Sequence, residues 1–123
     1  MTRAHPIIRL TATSPSDAEA YLPPNEKIIA GHPLQRVWSQ YTDPSGKFLV
    51  GVWECEPGAW RIRYTEEEYC RILEGCSILE HSDGSTFEVK AGDEFVIPSG
   101  FTGVWRVIER TRKVYVIYEA KAL

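Results

Sequence analysis

Two stretches of the chain decide its fold: residues 57–75, PGAWRIRYTEEEYCRILEG, and residues 92–100, GDEFVIPSG. Both combine short runs of aromatic and β-branched residues, which favour strands. Proline and glycine stand at the ends of these runs, where they indicate tight turns. The two stretches therefore predict short β-strands joined by sharp corners.

The same pattern extends outward from these stretches over most of the chain. Strands are predicted at residues 27–30, 35–41, 48–56, 60–64, 68–73, 77–80, 86–89, 94–97, 104–108 and 113–119. A turn is predicted between two of them at Glu74-Gly75. Many short strands with glycine or proline at the corners favour a sandwich or barrel. The fold class is therefore predicted to be all-β.

The first residues are predicted to form an irregular arm, because Pro6, Pro15, Pro23 and Pro24 interrupt any long element. Residues 16–20 are compatible with a single helical turn. A length of 123 residues is usual for one domain. We expect an arm over residues 1–25 and a single domain over residues 26–123.

Composition excludes several function classes. The formal net charge of −3 provides no basic field for nucleic acid or anionic lipid. No apolar run approaches the roughly 20 residues that span a bilayer, and the N-terminus lacks the apolar segment of a secretory signal. Three cysteines form no disulfide framework. We expect a cytoplasmic protein with neither nucleic-acid nor membrane partners.

The two stretches resemble the two conserved motifs of the cupin superfamily. The matching residues are Glu68, Leu73, Gly75, Gly92, Asp93, Pro98 and Gly100. Within the superfamily the chain is most similar to small type-3 cupins, which include the ethanolamine-utilisation cupin and relatives of ureidoglycine aminohydrolase. Trp53-Glu54-Cys55, Trp60, Tyr64 and residues 105–113 carry this closer similarity. The resemblance implies a jelly-roll barrel and a homodimer, but many such cupins have no assigned function.

The metal ligands of cupins are mostly absent. Imidazoles and one carboxylate suit the ions that cupins bind. The resemblance places the first histidine pair at Ile62 and Tyr64, or at Arg61 and Arg63 after a one-residue shift. It places the third histidine at Gly103, so that only the carboxylate Glu68 remains.

The histidines and cysteines of the chain do not replace the missing ligands. His5, His32 and His81 lie in turn or arm segments and are expected at the surface. Cys55, Cys70 and Cys76 form no C-x-x-C pair, and free cysteine is usually buried like a small hydrophobe. We predict no metal and no other cofactor.

Strand alternation predicts which side chains face the barrel interior. If Glu68 points inward, Cys70 shares its face, and Trp60 shares a face with Tyr64. Trp105 is also predicted to point inward, beside space left by Gly103, with Lys113 at the rim of the pocket. Because the register of the first motif is open, Arg61 is a candidate too. The predicted ligand-binding residues are Trp60, Arg61, Tyr64, Glu68, Cys70, Trp105 and Lys113.

Three functions fit this pocket. The first is binding of a small molecule, for which acidic and aromatic walls favour a cationic or amphipathic part. The alternative is an enzyme in which Glu68 and Tyr64 act as an acid–base pair on a small nitrogen- or carbonyl-containing metabolite. The third is an accessory subunit that mainly builds an oligomer. In a filled barrel, by contrast, the tryptophans pack together and Glu68 pairs with Arg61 or Lys113.

Overall fold

The computed structural model describes residues 5–11 and 13–120. Residues 1–4 and 12 of the predicted arm, and residues 121–123 of the predicted domain, lie outside the described residues. Within the described part the chain forms nine strands and two short 3-10 turns, at Pro15–Asp17 and Asn25–Lys27. The strands are β1 (Glu19–Tyr21), β2 (Ile28–Gly31), β3 (Gln35–Thr42), β4 (Phe48–Cys55), β5 (Gly58–Arg63), β6 (Glu67–His81), β7 (Thr86–Lys90), β8 (Glu94–Ile97) and β9 (Thr102–Tyr118).

Two long strands, β6 and β9, hold the two layers of the barrel together. The first half of β6 pairs with β8 and with the end of β9, and its second half pairs with β7 and with the start of β9. Strand β9 pairs with β4 along its second half and with β5 along its first half. The sheet therefore curls into a jelly roll, which confirms the predicted all-β fold.

The predicted turn at Glu74-Gly75 is wrong, because β6 continues through it. The pairing of β6 with β9 shifts register there, between Ile72 and Ser77. Gly75 has φ +89°, and a Cβ at this position would overlap the carbonyl oxygen of Arg110. Glycine here makes a bulge that bends a long strand. In the sequence, a glycine at a bulge looks the same as a glycine at a turn.

The arm is more regular than predicted. The expected helical turn over residues 16–20 is replaced by the 3-10 turn at Pro15–Asp17 and by strand β1. Strand β1 pairs with the edge of β3, with Tyr21 opposite Gln35. The indole N–H of Trp38 donates to the carbonyl oxygen of Ser14 at 2.7 Å, which anchors the arm. Pairing with an otherwise open sheet edge explains the strand.

The barrel interior is only partly filled. Trp53, Trp60 and Trp105 pack together, with ring centroids 5.1 Å apart for Trp53 and Trp105 and 6.5 Å for Trp60 and Trp105. Other buried residues of the same core include Ile72, Leu79, Val89, Ile97 and Val107. In the described residues, no helix has the length and apolar character needed to cross a membrane. The space left beside the tryptophans forms the candidate site.

Candidate ligand-binding site

A cavity of about 280 Å³ opens between the two layers of the barrel. This volume is near the lower end for small-molecule sites. Its lining residues come mainly from β3, β4, β5, β6 and β9: Tyr21, Gln35, Val37, Leu49, Trp53, Trp60, Ile62, Tyr64, Glu66, Glu68, Trp105, Lys113, Tyr115 and Ile117. Most of this wall is aromatic or aliphatic, so the cavity suits a ligand with an apolar body.

Three polar side chains, the buried Glu68 and Lys113 and the partly buried Tyr64, form the triad of the cavity. The hydroxyl of Tyr64 donates to Oε1 of Glu68 at 2.5 Å. The Nζ atom of Lys113 lies 3.2 Å from Oε2 of the same carboxylate. Each carboxylate oxygen therefore already has a donor, as a buried charge requires.

The strands explain why these three side chains meet. Tyr64 follows β5 and Glu68 lies near the start of β6, so the short connection turns the two residues toward each other. In the β4–β9 ladder Lys113 pairs with Trp53, and in the β6–β9 ladder it pairs with Ile72. Lys113 therefore extends from the strand between β4 and β6, close to Glu68.

Lys113 lies deep in the protein rather than at the rim, which corrects the sequence prediction. Its side chain is 4% exposed and that of Glu68 is 5% exposed. The ammonium lies over two indole rings, 4.5 Å from the centroid of Trp53 and 4.2 Å from that of Trp105. A carboxylate and two aromatic faces together replace the hydration that the ammonium loses.

Burial and charge act in opposite directions on the pKa of Lys113. Burial lowers it, whereas the neighbouring side chains of Cys70 and Glu68 raise it, and the net shift is upward. Burial raises the pKa of the Cys70 thiol to about 12, so this thiol is neutral near pH 7. The carboxylate of Glu68 is therefore the charged partner that keeps Lys113 protonated.

Tyr64 is fixed as a hydrogen-bond donor. Burial, followed by the charge and the hydrogen bond of Glu68, raises its pKa well above the ordinary value. The hydroxyl therefore stays protonated throughout the physiological range. With both carboxylate oxygens occupied by donors, the three side chains of the triad hold one another in place.

The other predicted site residues divide between the cavity and its surroundings. Trp60 and Trp105 line the cavity, as alternation predicts. Cys70 is fully buried and contacts Glu68 and Lys113, but it does not line the cavity. Arg61 is exposed, and its Nη1 donates to the backbone carbonyl oxygen of Glu26 at 3.5 Å. The partner of Glu68 is therefore Lys113, and the pairing with Arg61 is wrong.

The open register of the first motif is resolved by the ladder between β5 and β9. Ile62 pairs with Gly103, and Ile62 and Tyr64 both face the cavity. The shifted alternative, with Arg61 and Arg63 facing inward, is therefore wrong. Gly103 leaves no extra space beside Trp105, because a Cβ there would overlap the carbonyl oxygen of Glu80. Glycine at this position serves the close approach of β9 to β6.

The residues at the cupin metal position do not fit a transition ion. Ile62, Tyr64 and Gly103 supply no imidazole, and the cation beside Glu68 is the ammonium of Lys113. Across residues 5–11 and 13–120, no group of three or more His, Cys, Asp or Glu side chains is placed to hold a metal ion. His5, His32 and His81 are exposed, as predicted.

Several cavity residues escaped the sequence analysis of the site. Trp53 donates its indole N–H to Oε1 of Gln35 at 2.7 Å, and both side chains are buried. Tyr115 lies against Gly51, where a Cβ would overlap its hydroxyl oxygen. Strand alternation puts these residues on the inward-facing side of β3, β4 and β9, so they can be identified once the pairing of the strands is known.

Comparison with known proteins places this geometry in a family. The family model of the EutQ-like cupin domain matches residues 42–115. No curated protein sequence matches the chain. The match covers more than half of the chain and includes both motif stretches.

Solved structures show the same fold. The EutQ protein of Clostridium difficile is 20% identical, with 73% of this chain and 66% of that chain covered and a TM-score of 0.64. A putative ethanolamine utilization protein Q from Salmonella typhimurium is 24% identical, with 71% of each chain covered and a TM-score of 0.63. A protein of unknown function from Pseudomonas syringae is 24% identical, with 81% and 43% covered and a TM-score of 0.73. These likenesses show the fold, and the match of the family model over more than half of the chain shows that the chain belongs to the EutQ-like cupin family.

Proposed function

We propose that this protein binds a small organic molecule inside the barrel and that it does so without a metal. The observation that carries the proposal is the aromatic-walled cavity of about 280 Å³, which remains open beside a neutralised ion pair. A mostly apolar cavity with a few convergent polar groups is the usual form of a small-molecule site.

The ligand has a flat or aliphatic body and one polar end. Lys113 lies over the rings of Trp53 and Trp105. No cation of the described residues lies over Trp60, and its ring, with Ile62 and Leu49, provides an apolar surface for the body of a ligand. The cavity volume of about 280 Å³ limits the ligand to the size of a small metabolite.

Binding is favoured over proton transfer by the state of the triad. A general acid or base works best when its pKa lies near the operating pH. The pKa of Tyr64 is raised well above its ordinary value by burial and by Glu68, and both oxygens of Glu68 are engaged by donors. Tyr64 and Glu68 are therefore better suited to orienting a ligand than to exchanging protons with it.

The experiment is a screen of small metabolites by thermal shift, followed by titration with intrinsic tryptophan fluorescence. A ligand of the barrel quenches or shifts the emission saturably, because three of the four tryptophans line the cavity. Ile62→Phe fills part of the cavity and is expected to weaken binding about 10-fold or more. Ile108→Phe is the matched control, since Ile108 is exposed and lies outside the cavity. Binding that Ile62→Phe leaves unchanged contradicts the proposal.

A second candidate is an enzyme in which Glu68 and Tyr64 act as an acid–base pair on a nitrogen- or carbonyl-containing metabolite. The hydrogen bond of 2.5 Å between them, in the cavity wall, is the observation that favours it. Turnover of a bound ligand that is lost in both Glu68→Gln and Tyr64→Phe supports this reading. A ligand recovered unchanged after prolonged incubation contradicts it.

We also propose that the protein is a cytoplasmic homodimer. Within the described part of the chain, strands β7 and β8 each pair with β6 alone, and they carry the exposed side chains of Phe87 (53%) and Val96 (60%). Apolar side chains beside an open sheet edge are commonly covered by a partner, here a second copy. The three cysteines are free thiols, which suits a reducing compartment. Light scattering is expected to give twice the chain mass, and Val96→Lys a single chain mass. A wild-type protein that is monomeric contradicts the dimer.

A further inference from the structure

A second depression, here called the mouth groove, adjoins the barrel cavity and has a volume of about 290 Å³. The two share the lining residues Tyr21, Gln35, Trp60, Ile62, Tyr64 and Glu66. A molecule whose body lies in the cavity therefore emerges into the mouth groove.

Three cationic side chains, Lys27, Arg61 and Arg63, line the mouth groove. Strand β2 pairs with β5 only from Gly58 to Trp60, so the edge of β5 beyond Trp60 is not covered by β2. Arg61 and Arg63 follow directly on this open edge, and Lys27 ends the 3-10 turn beside it. The end of one strand pairing thus leaves two guanidinium groups at the mouth of the barrel.

These three cations form no ion pair with a carboxylate, in contrast to four of the other cations in the described residues. Arg36, Arg106, Arg112 and Lys113 each form an ion pair with a glutamate. Among the described residues no ion pair involves Lys27, Arg61 or Arg63, and Arg61 contacts only a backbone carbonyl oxygen. Unpaired cations also occur elsewhere among the described residues, but here three of them lie together at one opening of a chain whose formal net charge is −3.

The remaining charges of the site do not cancel this field. Glu66 is the one carboxylate among the described residues that line the mouth groove, and its Oε1 already accepts a hydrogen bond from the backbone N–H of Thr65 at 3.0 Å. Deeper in the cavity, Glu68 and Lys113 neutralise each other. The deep wall at Glu68 is therefore neutral, and the mouth groove carries three cations against the one carboxylate of Glu66.

We infer that the ligand of the barrel is an amphipathic anion, whose apolar body lies against Trp60 and whose carboxylate or phosphate is held by Lys27, Arg61 and Arg63. The inference rests on the proposed binding function and adds the charge of the ligand. A planar guanidinium matches a carboxylate or phosphate with two parallel hydrogen bonds. Arginine at the opening therefore selects the polar end, while the tryptophans accept the body.

The test uses three probes with one body and different heads: phenylpropionate, phenylpropionamide and phenylpropylamine. They are titrated against the full chain at neutral pH and followed by tryptophan emission, to which the phenyl group does not contribute. The carboxylate is expected to bind about 10-fold more tightly than the amide, with the amine weakest, because two or three exposed charge contacts contribute on this scale. Salt is expected to reduce the preference for the carboxylate.

Arg61→Gln/Arg63→Gln is expected to reduce the preference for the carboxylate over the amide to about 2-fold, mainly by weakening the binding of the carboxylate. Arg71→Gln/Lys90→Gln is the matched control: it removes two exposed cations outside the cavity and the mouth groove. Equal binding of the three probes, or tightest binding of the amine, overturns the inference. The neutral amide tests binding in the barrel without the cations. The proposed function fails if none of the three probes binds saturably. It also fails if Ile62→Phe leaves the Kd of the amide unchanged.

Discussion

Arg112 and Lys113 are neighbours on β9, and each carries a positive charge over a tryptophan ring beside a glutamate. Lys113 lies over Trp53 and Trp105 and 3.2 Å from Glu68, with both charged side chains at most 5% exposed. Arg112 lies 5.0 Å from the centroid of Trp38 and 4.0 Å from Glu74, with side chains 23% and 56% exposed. Strand alternation puts the first arrangement inside the barrel and the second outside.

The difference teaches that burial, rather than the choice of partners, sets the energetic importance of an ion pair. Outside, water and salt screen the charges, and such pairs typically contribute about 0–1 kcal/mol. Inside, removing one partner leaves the other charge without water or counterion, which typically costs about 3–5 kcal/mol. The same residue types therefore predict different consequences on the two faces of one strand.

The largest expected effect is that of Lys113→Met. The variant leaves the carboxylate of Glu68 buried without its cation, beside the Tyr64 hydroxyl and the Cys70 thiol, so we expect the free energy of unfolding to fall by about 3–5 kcal/mol. Urea denaturation measures this loss. A loss below about 1 kcal/mol, equal to that of an exposed pair, contradicts the distinction between the two faces.

Alkaline pH is the second way to separate the interior from the surface. Burial raises the pKa of Cys55 and Cys70 from 9.0 to about 12, and the pKa of Lys113 is also raised. A pKa raised in the folded state gives stability that is present below the unfolded pKa and is lost as pH rises through the folded pKa. We therefore expect the free energy of unfolding to be level near pH 8 and to fall progressively from about pH 9 to about pH 12.

Urea denaturation at a series of pH values measures this slope. Cys55→Ala/Cys70→Ala is the matched variant, because it removes the two buried thiols and is expected to flatten the fall between pH 9 and 12. A wild-type curve that stays level over that range contradicts the burial of these groups as the cause.

Glu68→Gln/Lys113→Met is expected to cost less than Lys113→Met alone, with a free energy of unfolding within about 2 kcal/mol of the wild type. Both charges are removed together, and the glutamine oxygen still accepts from Tyr64. The coupling energy comes from a double-mutant cycle with the two single variants. A double variant that is less stable than either single variant contradicts a compensated pair.

The smallest effect is expected for Arg112→Ala, which removes a partly exposed pair and a contact with Trp38. We expect a loss of about 1 kcal/mol or less, and half-molar salt is expected to reduce the difference from the wild type. Thermal unfolding at low and high salt measures both. If Arg112→Ala lowers the free energy of unfolding as much as Lys113→Met does, the outer and inner pairs are equivalent, and burial does not set their importance.

Local patterns account for much of the fold and part of the site. Runs of β-branched and aromatic residues bounded by glycine and proline correctly predicted most strands, since this information lies within a few residues. Alternation correctly placed Trp60, Tyr64 and Trp105 on inward faces, because the side-chain period of a strand is two. The break at Gly75 was predicted wrongly, since a bulge and a turn use glycine in the same way locally.

What the sequence by itself determined is therefore the strand content, the cupin resemblance and the inward faces of the motif strands, because each depends on residues close together in the chain. Only the tertiary structure decided that Glu68 pairs with Lys113 rather than Arg61, that β1 covers the edge of β3, and that Lys27 joins Arg61 and Arg63 at the mouth groove. The physical reason is that Glu68 and Lys113 meet through the register of β6 with β9. That register is set by the packing of the whole barrel.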